Sequence, residues 1–185
     1  MRQASIWNEA IFMNQAAENL KSCVTEFLDT CGNFYTGFDG LVPRSLTELE
    51  ANLLAALQTP ELSDCEKISV MSEGLDLMGS EDLVALGMRL AILAVRKNSA
   101  DYFRVSLLPF SAGLVELDWR DQLRMPGVFE RCGKRLGLHF QQELAAVTSD
   151  LRDCELKEVV EDCISREFSS AGYMEYGEGE EYLIL

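Results

Sequence analysis

The stretch "LVALGMRLAILAV", residues 83–95, is the most apolar part of the chain and decides its fold class. Asp82, Arg89 and Arg96 follow one another at seven-residue intervals, so the charges around it fall on one stripe of an α-helix. A helix that is apolar on all its other sides is typically buried. The sequence therefore predicts a helix over 81–97, opened by Ser80, as the central and most buried helix. The apolar stretch is too short to span a bilayer and is interrupted by Arg89.

Capping signals predict helices before and after the helix over 81–97. Ser45 and Glu48 form a capping box, in which the serine oxygen and the glutamate each accept a backbone N–H. Thr59 and Pro60 have the residue types of an N-cap and a first helical position. The predicted helices cover 46–58, 60–73, 100–112, 119–125, 139–147 and 151–169. The helix over 100–112 is capped by Ser99 and is bent or ended by Pro109. The helix over 119–125 is interrupted by Pro126-Gly127 and continues to about 136, with Gly137 as its stop.

The chain is predicted to be a single all-α domain over 1–185. Helix pairs recur every 30–40 residues from Ser45 onward, which fits either an irregular multi-helix bundle or a HEAT-like stack of helix pairs. Both arrangements stay open. The helical body covers 46–169, after a long helix over 1–31 and an aromatic loop over 32–45. The tail over 172–185, "GYMEYGEGEEYLIL", has the pattern of a small C-terminal β-hairpin.

The long helix has an apolar stripe with alternating spacings of three and four residues. This stripe contains Ala10, Met13, Ala17, Leu20, Val24, Phe27 and Cys31. Such spacing is typical of a helix that lies against its own bundle, and it also fits a homodimer formed through residues 10–31. The loop that follows contains Phe34, Tyr35 and Phe38, which either bind a partner or fold back onto the core.

Charge limits the classes of partner. The chain has 16 basic and 31 acidic residues, for a formal net charge of -15, which argues against nucleic acid and anionic membranes. A basic protein is the complementary partner. Residues 151–185 alone have a net charge of -7, so the expected partner-binding residues are the tail glutamates Glu175, Glu178, Glu180 and Glu181. The alternative is that the acidity only keeps the protein in solution.

A second candidate surface lies in "LDWRDQLR", residues 117–124. Asp118 has the residue type of an N-cap, and Asp121 falls in the first turn, where the helix dipole favours an acid. Trp119 fits an apolar helix face. Arg120 and Arg124 are four residues apart, as are Arg131 and Arg135, so each pair needs a nearby acid. An intramolecular ion-pair network and a partner site at Trp119, Arg120 and Arg124 both explain the arginines.

The stretch "LAILAVRKNSADYFRVSLLPFSAGLVELDWRDQLRMPGVFERCGKRLGL" resembles a class of uncharacterised bacterial helical proteins. Its shared features are an aliphatic helix, a short helix beginning with a D-Y/L-x-R pattern, an acid-aromatic-Arg-acid helix start and an R-L-G-L/V stop. The resemblance covers about 60 residues and implies a helical fold without an assigned activity. It also implies a setting beside other genetic systems, such as toxin-immunity or phage-related loci.

No catalytic or cofactor signature is present in the sequence. His139 is the only histidine, and Glu143 follows one turn later; this pair would suit acid-base chemistry but also fits a structural histidine near a solvated carboxylate. The six cysteines lack metal-ligand spacing, and no glycine-rich phosphate loop occurs. No enzyme activity, cofactor or metal is predicted. With no apolar signal segment, we expect a cytoplasmic protein with free thiols.

These observations lead to two hypotheses. The first is a non-enzymatic interaction module with an acidic surface, such as an immunity or antitoxin-like protein that binds a basic partner. The second is a structural scaffold or self-assembling helical module that acts through apolar surfaces.

Overall fold

The structure is a computed structural model that describes residues 2–31, 45–74, 79–114, 116–117 and 125–165. The all-α prediction is confirmed for these residues, which contain no strand. The predicted hairpin over 172–185, the helix over 119–125 and all of the aromatic loop except Ser45 lie outside them. The described helices are α1 (Arg2–Cys31), α2 (Ser45–Leu57), α3 (Asp64–Ser72), α4 (Ser80–Lys97), α5 (Ala100–Gly113), α6 (Pro126–Arg135), α7 (Phe140–Val147) and α8 (Cys154–Ser165).

The helices α4 and α5 form a closely packed antiparallel pair. Their connection is Asn98, which has a left-handed φ of 49°, and Ser99, whose hydroxyl accepts the backbone N–H of Tyr102 at 3.3 Å. The predicted Ser99 cap is thus confirmed. Gly87 and Gly113 allow the backbones to approach: a Cβ at Gly113 would lie 2.5 Å from the Ser80 carbonyl oxygen. Any side chain at these positions would force the helices apart.

The most central helix is α5 rather than α4. Nine of its 14 residues are buried, and it packs against α2, α3, α4, α7 and α8. The buried hydroxyls of Ser106 and Ser111 donate to the carbonyls of Phe103 and Leu107, so the core accommodates these polar side chains. The helix continues four residues beyond Pro109, to Gly113. The apolar pattern of 83–95 identified a buried helix but not the one with the most neighbours.

A cluster of three aromatic rings joins α5, α6 and α7. The ring centres of Phe110 and Phe129 are 4.3 Å apart, and each is 5.9 Å from that of Phe140. Such contacts add to the free energy gained from burying the rings. The chain turns between α6 and α7 at Gly137, whose φ of 71° confirms the predicted helix stop. At the other end of α6, Pro126 is the first helical residue instead of an interruption.

Two predicted helix starts are wrong. The N-cap of α3 is Ser63, not Thr59, because Ser63 and Glu66 complete a capping box in which each side chain accepts the other's backbone N–H. The Thr59 hydroxyl instead donates to the Glu61 carboxylate. The N-cap of α8 is Asp153, whose carboxylate accepts the Leu156 N–H at 2.9 Å, so residues 151–153 precede the helix.

Two other helices begin one residue before their predicted first residue. The first residue of α2 is Ser45, and that of α4 is Ser80. The N-cap of α4 is Gly79, which has a φ of 67° and no side chain to accept an N–H. Ser80 therefore lies inside the helix it was expected to cap. No helix in the described ranges is both long and apolar enough to cross a membrane.

The helix α1 packs on the bundle through residues in its second half. Leu20, Val24 and Phe27 are fully buried and pack with α2 and α3. The four residues from Phe12 to Gln15 are all exposed. The prediction that the apolar stripe packs on the chain's own bundle is confirmed for Leu20, Val24 and Phe27.

Candidate interaction surfaces

The predicted partner-binding residues have no described position. Glu175, Glu178, Glu180 and Glu181 of the tail lie outside the described residues, as do Trp119, Arg120 and Arg124. The surfaces described below come from other parts of the chain.

The fold brings two acidic segments together. The thiol of Cys65, near the start of α3, donates to the carbonyl of Val147 at 3.7 Å, at the end of α7. This contact places the residues around α3's N-terminus beside the connection that leads into α8. Arg152 on that connection is close enough to Glu66 to contribute to the lowered pKa of this carboxyl, after the larger effect of its hydrogen bonds with Ser63.

We call these two segments, 61–67 and 150–162, the acidic face. They contain nine carboxylates and three basic residues, a net charge of -6. All three bases have acidic neighbours: the buried Lys67 amine is 3.4 Å from Asp64, Lys157 is 3.9 Å from Glu161, and Arg152 lies near Glu66. Eight of the carboxylate residues are exposed and one is half-buried. They are Glu61, Asp64, Glu66, Asp150, Asp153, Glu155, Glu158, Glu161 and Asp162.

Sequence reasoning found only part of this face. The excess of acid in 151–185 predicted a surface near the C-terminus, and α8 belongs to it. Glu61, Asp64 and Glu66 were not predicted, because they are more than 80 residues away along the chain. Acidic residues there were already explained by the start of a helix, where the dipole favours negative charge. No local signal indicated that α3 lies next to the 150–153 connection.

The helices α4 and α6 end at the same side of the bundle with basic residues. Because α5 is antiparallel to α4, and Phe129 packs on Phe110 while Gly133 packs on Phe103, α6 runs parallel to α4. Arg96 and Lys97 therefore lie at the same end as Lys134 and Arg135. We call these four exposed residues the basic end.

In the His139 and Glu143 pair, the carboxylate of Glu143 is bound by Arg104. Glu143 accepts two hydrogen bonds from Arg104, at 2.6 Å from Nε and 3.5 Å from the terminal nitrogen. His139 is exposed and is the N-cap residue of α7, with no side-chain capping bond. The histidine thus stands at a helix start rather than a helix end. Both the catalytic hypothesis and the solvated-carboxylate alternative omitted Arg104, which is 39 residues from Glu143.

Three of the cysteines have thiols with raised pKa values. Burial raises the pKa of the Cys132 thiol to about 11, and it also raises the pKa values of Cys23 and Cys65. A thiol with a raised pKa contains little thiolate at neutral pH, and the thiolate is the reactive form. Within the part of the chain that the structure describes, no three His, Cys, Asp or Glu side chains are arranged to hold a metal ion.

Two apolar side chains in the first half of α1 are exposed. Phe12 is 61% exposed and Met13 is 40% exposed, and they are the large hydrophobic residues exposed among those described. The same helix buries Leu20 and Val24 about two and three turns further on.

Comparison with protein-family models, with curated proteins and with solved structures found no match to this chain. The function is therefore argued from these surfaces.

Proposed function

We propose that this protein is a non-enzymatic interaction module that binds a basic protein on its acidic face. The observation that carries the proposal is the contact that places the acidic start of α3 beside the connection into the acidic helix α8. Together the two segments, 61–67 and 150–162, have a net charge of -6. Dense exposed carboxylates raise the rate at which a basic partner is captured, and they disfavour acidic competitors. An immunity or antitoxin-like protein that neutralises a basic partner would act in this way.

Several finer expectations belong to this proposal. They are the cytoplasmic location, a HEAT-like stacking of helix pairs, the C-terminal hairpin, and the resemblance to bacterial helical proteins near toxin-immunity loci. The tail residues Glu175, Glu178, Glu180 and Glu181 would extend the acidic face, and Trp119, Arg120 and Arg124 would supply a second contact region.

The test is partner capture by the full chain and by two matched variants. Glu155→Gln/Glu158→Gln/Glu161→Gln neutralises the exposed side of α8. The control, Glu18→Gln/Glu26→Gln/Asp29→Asn, removes the same charge from exposed positions on α1. Neither variant changes a helix cap or a buried residue, and circular dichroism would confirm that both fold.

We expect basic proteins, identified by mass spectrometry, to be retained at low salt and lost at high salt. The α8 variant should retain several-fold less of them than the control, because binding depends on local charge. An equal loss with both variants would show a net-charge effect only and contradict the proposal, as would retention of the partner at high salt. A third variant, Glu178→Gln/Glu180→Gln/Glu181→Gln, tests the tail separately.

A second candidate function, a self-assembling scaffold, is favoured by the exposed side chains of Phe12 and Met13. An apolar interface on this part of α1 would persist at high salt. Sedimentation of Phe12→Gln/Met13→Gln against Asn14→Ala/Gln15→Ala would test it. Salt-resistant association that only the first variant loses is the expected result, and a monomeric parent chain would exclude this function.

A further inference from the structure

The basic end combines cations from two helices that are distant in the sequence. Arg96 and Lys97 end α4, while Lys134 and Arg135 end α6. Both helix ends border the start of α5: the Lys97 amine is 5.8 Å from the ring centre of Tyr102, and a Cβ at Gly133 would lie 3.2 Å from Phe103. Four exposed cations therefore share one end of a protein whose net charge is -15.

The neighbouring carboxylates are engaged by another residue. Arg104, in the second turn of α5, is 3.5 Å from Asp101 and 2.6 Å from Glu143. Among the described residues, no carboxylate lies within ion-pair distance of Arg96, Lys97 or Lys134. The helix dipole favours cations at these positions, which makes them compatible with the fold. The helix dipole does not by itself bring two basic helix ends together. That arrangement follows from the packing of α4, α5 and α6.

We propose that the basic end binds an acidic segment of a partner protein. Charge complementarity supports this occupant, since arginine and lysine at a solvent-facing position pair readily with carboxylates. The half-buried ring of Tyr102 beside Lys97 adds an apolar edge on which a peptide can pack. This surface is separate from the acidic face and does not depend on the function proposed for it.

An acidic peptide fits this end better than nucleic acid does. Nucleic-acid binding draws its affinity from neutralising many closely spaced phosphates. The basic end offers four cations, and the -15 charge of the chain repels a long polyanion more than a short one. A segment with a few carboxylates is the better match in both charge and size.

The experiment measures the binding of a fluorescein-labelled deca-glutamate peptide to the full chain by fluorescence anisotropy at low salt. The test variant is Lys97→Glu/Lys134→Glu. The matched control, Lys21→Glu/Asn52→Glu/Gln58→Glu, makes the same change in net charge on α1 and near the end of α2. Lys97→Arg/Lys134→Arg keeps the charge, and a deca-thymidine of equal length is the competing nucleic acid.

We expect the test variant to bind the peptide at least about tenfold more weakly than the parent, which corresponds to the loss of two charge-assisted contacts. The control should bind within about twofold of the parent, and the arginine variant should keep full affinity. Equal weakening by test and control variants would overturn the proposal. So would tighter binding of deca-thymidine than of the peptide.

A parent chain that does not bind the peptide also tests the proposal. The parent chain and its Glu178→Gln/Glu180→Gln/Glu181→Gln variant are titrated in parallel, so that carboxylates of the same chain cannot hide the site by competition. If neither binds the peptide, the basic end is not a site for acidic segments and the proposal is wrong. If either binds in a Lys97- and Lys134-dependent way, it is supported.

Discussion

Residues 12–15 in the first half of α1 and residues 20–27 in its second half lie on one helix, but only the later segment contains fully buried side chains. Leu20, Val24 and Phe27 are completely covered by the bundle, whereas Phe12 and Met13 are exposed to solvent. Helical periodicity therefore indicates which side chains lie on a common face, but not what covers that face. The later segment is covered by α2 and α3, which come after it in the chain.

The largest expected difference between the two halves of α1 is in how much a lost aromatic ring lowers the free energy of unfolding. Phe27→Ala should lower the free energy of unfolding by about 3–5 kcal/mol, because it removes a fully buried ring and leaves a cavity. Phe12→Ala should change it by no more than about 0.5 kcal/mol. Urea denaturation followed by circular dichroism measures both. Similar losses for the two variants would mean that Phe12 is covered in solution, as an interface between copies would require.

Proline substitution compares the two halves of α1 by breaking the helix backbone instead of removing a side chain. Ser22 and Asn14 are both exposed polar residues inside α1. Ser22→Pro should cost about 3 kcal/mol of global stability, because it breaks a helix segment that packs on the core. Asn14→Pro should shorten the helix, seen as lost ellipticity, and leave the unfolding midpoint nearly unchanged. A large midpoint shift for Asn14→Pro would show that the first half also supports the bundle.

The smallest expected effect concerns the cation–π contact between the second half of α1 and α4. The Arg89 guanidinium lies 5.5 Å from the centre of the Phe27 ring, a cation–π arrangement between α4 and α1. A double-mutant cycle with Arg89→Met and Phe27→Leu should give a coupling energy of about 0.5–1 kcal/mol. A coupling indistinguishable from zero would leave apolar burial alone as the attachment of α1 at this point.

Features set by neighbouring residues were predicted well from the sequence. The Ser99 cap and the stop at Gly137 depend on local hydrogen bonding and on a positive φ, and both are present. The start of α3 was misplaced because Thr59-Pro60 and Ser63-Glu66 both resemble helix starts. Only Ser63 has an acceptor three residues later that completes the capping box.

Features that depend on tertiary packing were not predicted. Nothing near Glu143 indicated that Arg104 would bind it, and nothing near Asp64 indicated contact with the 150–153 connection. The centrality of α5 was also missed. Its longest uninterrupted apolar run is shorter than those of α4, and its burial comes from the five helices that pack against it.

The length of α1 exceeds that of every other described helix. Its 30 residues each add about 1.5 Å along the axis, so the helix is about 45 Å long. The fully buried residues Leu20, Val24 and Phe27 lie within about 10 Å of that length. A mechanical force applied along α1 would therefore reach the bundle through these three anchoring side chains.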